Sequence, residues 1–139
     1  MDIIKLNQVL IMNSEEFKGE KKSLYEYEKK DIFIADINGN FIQSEDDFIE
    51  QTQNIFRFPS DCHNNWDGYI DWMTDLDWLH KKGYVLIIRN FTQLLSRNII
   101  AKRNIMDILI GNVLPFWQWE IERCIVDGKR KPFILILVD

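Results

Sequence analysis

The sequence predicts an α/β fold, a small, mostly parallel sheet of three strands packed by about four helices. Three short runs, residues 31–37 (DIFIADI), 84–88 (YVLII) and 133–138 (FILILV), are apolar and rich in β-branched side chains. The last two show no polar alternation, the pattern of strands covered on both faces. Long stretches of helical spacing separate the runs, and parallel neighbours need such crossovers. With 139 residues, 46% of them hydrophobic and 28% charged, the chain is long enough and apolar enough for one domain with a real core.

Along the chain, residues 2–12 contain a short apolar run that reads as a strand, and the charge-dense residues 13–30 read as a surface helix or loop. Residues 1–30 are therefore expected to be an N-terminal extension to a domain spanning 31–139. After strand 31–37, Asn38-Gly39-Asn40 reads as a turn. Ser44 is a candidate N-cap, with Glu45, Asp46 and Asp47 in the first helical turn, where carboxylates suit the helix dipole. Pro59 is expected to stop that helix. The next helix is expected from about Asn64 or Asn65 to near Leu79, with Lys81-Lys82-Gly83 as its C-terminal stop. After strand 84–88, Asn90 is placed to cap a short helix containing Phe91, Leu94 and Leu95. Two more helices are expected, over 98–113 and about 114–126, with Pro115 in the first turn of the second.

Charge is unevenly placed. Between Asp36 and Asp77 ten side chains are acidic and only Arg57 is basic, against a net charge of -5 for the whole chain. A field of that sign repels nucleic acid and draws cationic surfaces. No apolar run approaches the ~20 residues of a membrane span, and the N-terminus lacks the pattern of a secretory signal. Cys62 and Cys124 lie far apart and fit neither a disulfide framework nor a metal knuckle, so a cytoplasmic address is expected.

The stretch Phe58–Trp78 concentrates the signal. It holds five carboxylates, three tryptophans, a tyrosine and no lysine or arginine. Asp67, Asp71 and Asp75 recur every four residues and share one helical stripe. Trp66, Tyr69, Ile70, Met73 and Leu76 fall on the opposite side. Trp66 is expected in the core, Trp72 at the border, and Trp78 beside the acidic stripe as a surface anchor, a role tryptophan often fills at interfaces. An acidic helix face is most often simply solvated. Here the aspartates repel one another without an interspersed cation, which favours docking of a basic partner.

Chemistry is disfavoured by the same residues. There is no Gly-rich loop after strand 31–37 and no Walker lysine pattern, so no nucleotide or other cofactor is expected. Asp61, Cys62, His63 and the distant His80 lack the spacing of a zinc site, and a hard cation on the aspartate stripe would need oxygens from elsewhere. Three aspartates on a convex ridge do not make the cleft that paired-carboxylate hydrolysis needs. Ser60, Asp61, Cys62 and His63 are consecutive and form no triad.

The residues Phe58-Pro59, Asn65-Trp66-Asp67, Asp71, Asp75-Leu76 and Trp78 resemble the motif of the barstar family, intracellular inhibitors of secreted bacterial ribonucleases. The resemblance extends over 32–40, 84–88 and Asp127-Gly128 before the last strand, about residues 31–139. It implies a three-stranded parallel sheet packed by helices, and a helix whose two spaced aspartates plug a nuclease active site, here Asp67 and Asp71, with Asp71 the deeper. The family's aromatic pair before the helix is Asp61 and Cys62 here, its glycine is His63, and the aromatic between the aspartates is Ile70. The family's acid in the final helix falls near Arg123 and Asp127, of which only Asp127 keeps the charge, with Glu120 and Glu122 close by. The partner-binding surface is thus expected to comprise Asp61, Asp67, Ile70, Asp71, Asp75, Trp78 and Asp127. The expectation is a non-catalytic immunity protein, monomeric when free, that blocks a basic ribonuclease or related nuclease toxin without touching nucleic acid or membrane. Its rivals are a barstar-like interaction domain with no inhibitory role and a carboxylate-dependent enzyme.

Overall fold

A computed structural model describes residues 8–125 and 128–139. Four strands form one parallel sheet in the order β1-β4-β3-β2. They are β1 (Gln8–Met12), β2 (Ile32–Asn38), β3 (Gly83–Arg89) and β4 (Phe133–Val138). The three expected strands make up β2, β3 and β4. The N-terminal run adds β1 at the edge of β4, with Leu10 opposite Ile136. The two central strands, β3 and β4, are almost wholly buried, which is why their sequences show no polar alternation.

Helices cover both faces. On one, Ala35 and Ile37, then Tyr84, Leu86 and Ile88, then Phe133, Leu135 and Leu137 meet the helices that follow β2 and β3. These are α2 (Glu45–Ile55), α3 (Trp66–Met73) and a helical run from α4 (Ile99–Ile108) to α5 (Ile121–Cys124). Strand residues point alternately to opposite faces, so Ile32, Val85, Ile87, Ile134, Ile136 and Val138 look the other way. That second face is covered by α1 (Ser14–Lys29) through Phe17, Leu24 and Tyr27. The segment 13–30, left between helix and loop by its sequence, is thus a helix. Asn13 and Glu16 form its capping box, the Glu16 amide donating to Asn13 Oδ1 at 2.8 Å and the Asn13 amide to Glu16 Oε1 at 3.2 Å.

Several boundaries differ from the sequence expectation. Helix α2 starts after Ser44, whose Oγ accepts from the Asp47 amide at 3.0 Å. It ends before Pro59 can act. The Phe58 amide reaches back to the Gln53 carbonyl and the Arg57 amide to that of Asn54, with Arg57 left-handed at φ 56. This closing pattern satisfies the last carbonyls without help from the proline. The two expected C-terminal helices are one continuous helical run. It contains π turns at Leu109–Val113 and Phe116–Glu120, with Pro115 between them at helical φ -61. A proline ring presses on the carbonyl four residues back in a straight α-helix. That carbonyl belongs to Gly111, inside the first widened turn. After β3 only a 3₁₀ turn, Phe91–Gln93, forms, and Asn90 sits left-handed before it without a side-chain cap.

The stop after α3 also differs. His80 is the left-handed residue (φ 53), while Gly83 opens β3. The glycine serves close packing, since a Cβ there would lie 2.6 Å from Pro132 Cγ and 2.9 Å from Ile32 Cδ1. Both cysteines are free thiols, Cys62 buried and Cys124 exposed. Among the described residues no helix is long and apolar enough to cross a membrane.

The packing of α1 makes a prediction about cooperativity. All five tryptophans lie beyond residue 30, so their fluorescence reports on the part of the chain packed by α2–α5. Leu24→Ala should lower the urea midpoint of that signal, with a loss of about 2–4 kcal/mol. An unchanged midpoint would mean that α1 is only loosely attached.

Candidate protein-binding face

Helix α3 is held by its apolar side. Tyr69, Met73 and the following Leu76 are each 0% exposed. Thr74 closes the helix, its Oγ donating to the Ile70 carbonyl at 2.7 Å, and Leu76 then turns into the core with φ 53. A left-handed residue costs ~1–2 kcal/mol, while full burial of a leucine returns ~1.5–3 kcal/mol, so the turn is affordable there. The helix therefore ends at Met73, six residues before the expected end. A separate 3₁₀ turn, Asp77–Leu79, follows.

The shortening divides the acidic stripe. Asp67 and Asp71 remain one helical turn apart on the exposed side of α3. Asp75 lies beyond the helix, where its Oδ1 accepts from the Asp77 amide at 3.1 Å. Among the described residues none of Asp67, Asp71, Asp75 and Asp77 has an ion-pair partner. Asp67 occupies the first turn of α3, where the helix dipole favours a carboxylate.

The loop before the helix is fixed by side chains. Asn65 caps α3, its Oδ1 accepting from the Gly68 amide at 3.2 Å. His63 and Asn64 are both left-handed, with φ 52 and 53. Asp61 Oδ1 accepts from the His63 amide at 2.7 Å and from Gln53 Nε2 at 3.3 Å. Those bonds, the His63 amide first, hold the Asp61 carboxyl below the usual carboxylate range. Cys62 is buried, with both its amide and Sγ donating to Gln53 Oε1 at 3.2 Å. Of this adjacent pair only Asp61 faces solvent.

The aromatic residues support the face from behind. Trp66 is half-buried, packs on Phe48 and Tyr69, and donates its indole N–H to Glu45 Oε1 at 3.0 Å. Trp78 is also half-buried. It stands edge-on to Trp72 and Phe58, and its N–H is engaged by the Phe56 carbonyl at 2.9 Å. It is thus bound into the fold by one edge while part of its surface stays open. Ile70 is half-buried beside Asp71, and Asp127 lies outside the described residues.

A groove of about 700 Å³ opens beside this face. Asp71, Asp75 and Asp77 form its acidic lip, Phe116, Trp117, Ile121 and Ile125 its apolar floor, and Lys129 and Lys131 also line it. It is not legible in the sequence, because the helical spacing runs on through Asp77 and the C-terminal residues belong to a separate helical pattern. The pairing of Ile121 with Ile125, one turn apart, was the available signal. Among the described residues no three His, Cys, Asp or Glu side chains gather as a cation site.

The model of the family described as Barstar (barnase inhibitor) matches residues 32–135. The chain belongs to the barstar family. Proteins of this family are non-catalytic inhibitors, and membership is consistent with a regulatory or inhibitory protein-interaction role. The barstar-family match runs from β2 into the first half of β4, and β1 and α1 lie outside it. No curated protein matches the sequence. Among solved structures the chain is similar to the ORC2 protein of Aeropyrum pernix, described as ADPNP-ADP complexes, with a TM-score of 0.60 and 15% identity over 96% of this chain. The chain spans 35% of that protein's length, and the likeness is one of fold.

The lowered Asp61 carboxyl gives the loop a pH response. A depressed folded-state pKa means that the carboxylate's bonds are in place above the ordinary value and are lost as pH falls through the lowered one. The His63 amide resonance should titrate with a midpoint below ~3.9, the ordinary aspartate value. A midpoint at or above that value would contradict the Asp61–His63 bond.

Proposed function

We propose that this protein inhibits a basic ribonuclease or related nuclease toxin by laying the exposed side of α3 and the preceding loop into its phosphate-binding cleft. The observation that carries the reading is the pair Asp67 and Asp71, exposed one turn apart on a helix pinned by Tyr69 and Met73, without a cation partner among the described residues. A nuclease cleft holds phosphate with arginines, and a carboxylate offered to an arginine forms short, often bidentate hydrogen bonds. A rigid helix needs little ordering on binding. The acidic field speeds the encounter and weakens with salt.

Asp61 extends the acidic face on the loop side and Asp75 on the turn side, with Ile70 as apolar contact between the aspartates and the open part of Trp78 at the margin. Asp127 belongs to the same proposed contact set by its family position. The protein acts as a cytoplasmic immunity protein, monomeric until it meets its partner, and needs no cofactor.

A nucleotide-binding role has one source of support, the fold likeness to a protein described as ADPNP-ADP complexes. Phosphate loops between strand and helix are glycine-rich and carry a lysine. Here β1 passes to α1 through Asn13 alone, and that residue caps the helix. The inhibitor reading is therefore preferred.

The test is inhibition of RNA cleavage by barnase and by any nuclease encoded beside this gene, with Kd measured at low and high salt. Asp71→Ala should weaken binding by about 2–5 kcal/mol, on the order of 30- to 4,000-fold in Kd. Inhibition should fall in step. Absence of inhibition of every such nuclease, or an Asp71→Ala variant that inhibits as well as the parent, would overturn the assignment.

A further inference from the structure

We propose that the groove beside α3 is a second docking site on the same face, for an extended basic–apolar–basic segment of the protein partner. This deepens the inhibitor reading and rests on it for the partner's charge. The groove measures about 700 Å³. Ligand clefts span ~300–1,000 Å³, so it has room for several side chains and too much for one.

Its lining combines two chemistries. The floor is apolar, made by Phe116 and Ile121 with Ile125 at the end of α5, and Ile125 is 51% exposed, an uncovered aliphatic side chain. The lip carries Asp71, Asp75 and Asp77, none paired with a cation among the described residues. Lys131 does not neutralise them by an ion pair. Its Nζ donates to the Lys81 carbonyl at 2.9 Å and lies over the Tyr84 and Trp117 rings. Lys129 is also in the lining and is exposed. A guanidinium is therefore accepted at the α3 lip and repelled by Lys129. An aliphatic residue between two arginines places its side chain on Ile121 and Ile125 while the cations meet the carboxylates. Asp71 belongs both to the helix face and to the lip, so a partner lying on α3 has its flank over the groove.

The test does not need the nuclease. The probes are the peptide acetyl-Arg-Leu-Arg-amide and its neutral counterpart with citrulline in place of arginine, titrated into the full chain while amide resonances are followed. Saturable shifts at Thr74, Ile121 and Ile125 are expected with the arginine peptide and not with the citrulline peptide. The double variant Asp75→Asn, Asp77→Asn should weaken binding by about tenfold or more, as loss of two charge-assisted contacts implies. Lys129→Glu, at an exposed position that should not disturb folding, should strengthen it. Equal binding of the two peptides, shifts that avoid the groove, or weaker binding by Lys129→Glu would overturn the proposal. If the arginine peptide saturates the groove but no nuclease is inhibited, the docking site stands and the nuclease reading falls. If a nuclease is inhibited and the peptide leaves the groove unshifted, the reverse holds.

Discussion

The burial of Tyr69, Met73 and Leu76 is the constraint on which the acidic face depends. These side chains lock the inner side of α3 against the sheet, and a helix so short can bury only one side. Its other side must then be what the sequence places there, Asp67 and Asp71. The same packing ends the helix, because Leu76 reaches the core only by turning left-handed. That turn puts Asp75 and Asp77 at the edge of the groove instead of along the ridge. One set of apolar contacts thus decides both where the acids point and how they are divided.

The sheet beneath is built to hold that helix still. Strands β3 and β4 are buried on both faces, one by the helices that carry the acidic face and one by α1. The region matched by the barstar family begins at β2, so the cover on the second face, and the strand beside β4, come from residues outside it. Without α1 the row formed by Val85, Ile87, Ile134 and Ile136 would meet water, an apolar surface that a stable soluble sheet does not leave open. Trp117 ties the C-terminal helical run to α3 by donating its indole N–H to the Met73 carbonyl at 2.9 Å.

The sequence made the strands and the inner side of α3 legible because both rest on apolar periodicity. It also marked the caps at Ser44 and at the start of α3, since these depend on one side chain and a backbone amide close by. The end of α3 was not legible, because the period of four continues through Asp75 and only the tertiary pull on Leu76 breaks it. Pro115 argued for a helix boundary, and the π turns that absorb it have no simple sequence mark. Trp78 read as a free anchor by its helical angle, yet the Phe56 carbonyl that takes its N–H lies twenty-two residues away. The groove was invisible for a related reason, because its walls come from segments that are 39 residues apart at their nearest, Asp77 and Phe116.

The central claim is that the loop before α3 and the exposed side of that helix form the contact with a basic nuclease. The direct test is hydrogen–deuterium exchange of the chain, alone and mixed with a nuclease that it is found to inhibit. New protection is expected over residues 61–71, diminished at high salt. Protection confined to β1, α1 or the outer side of α4, with 61–71 unchanged, would contradict it.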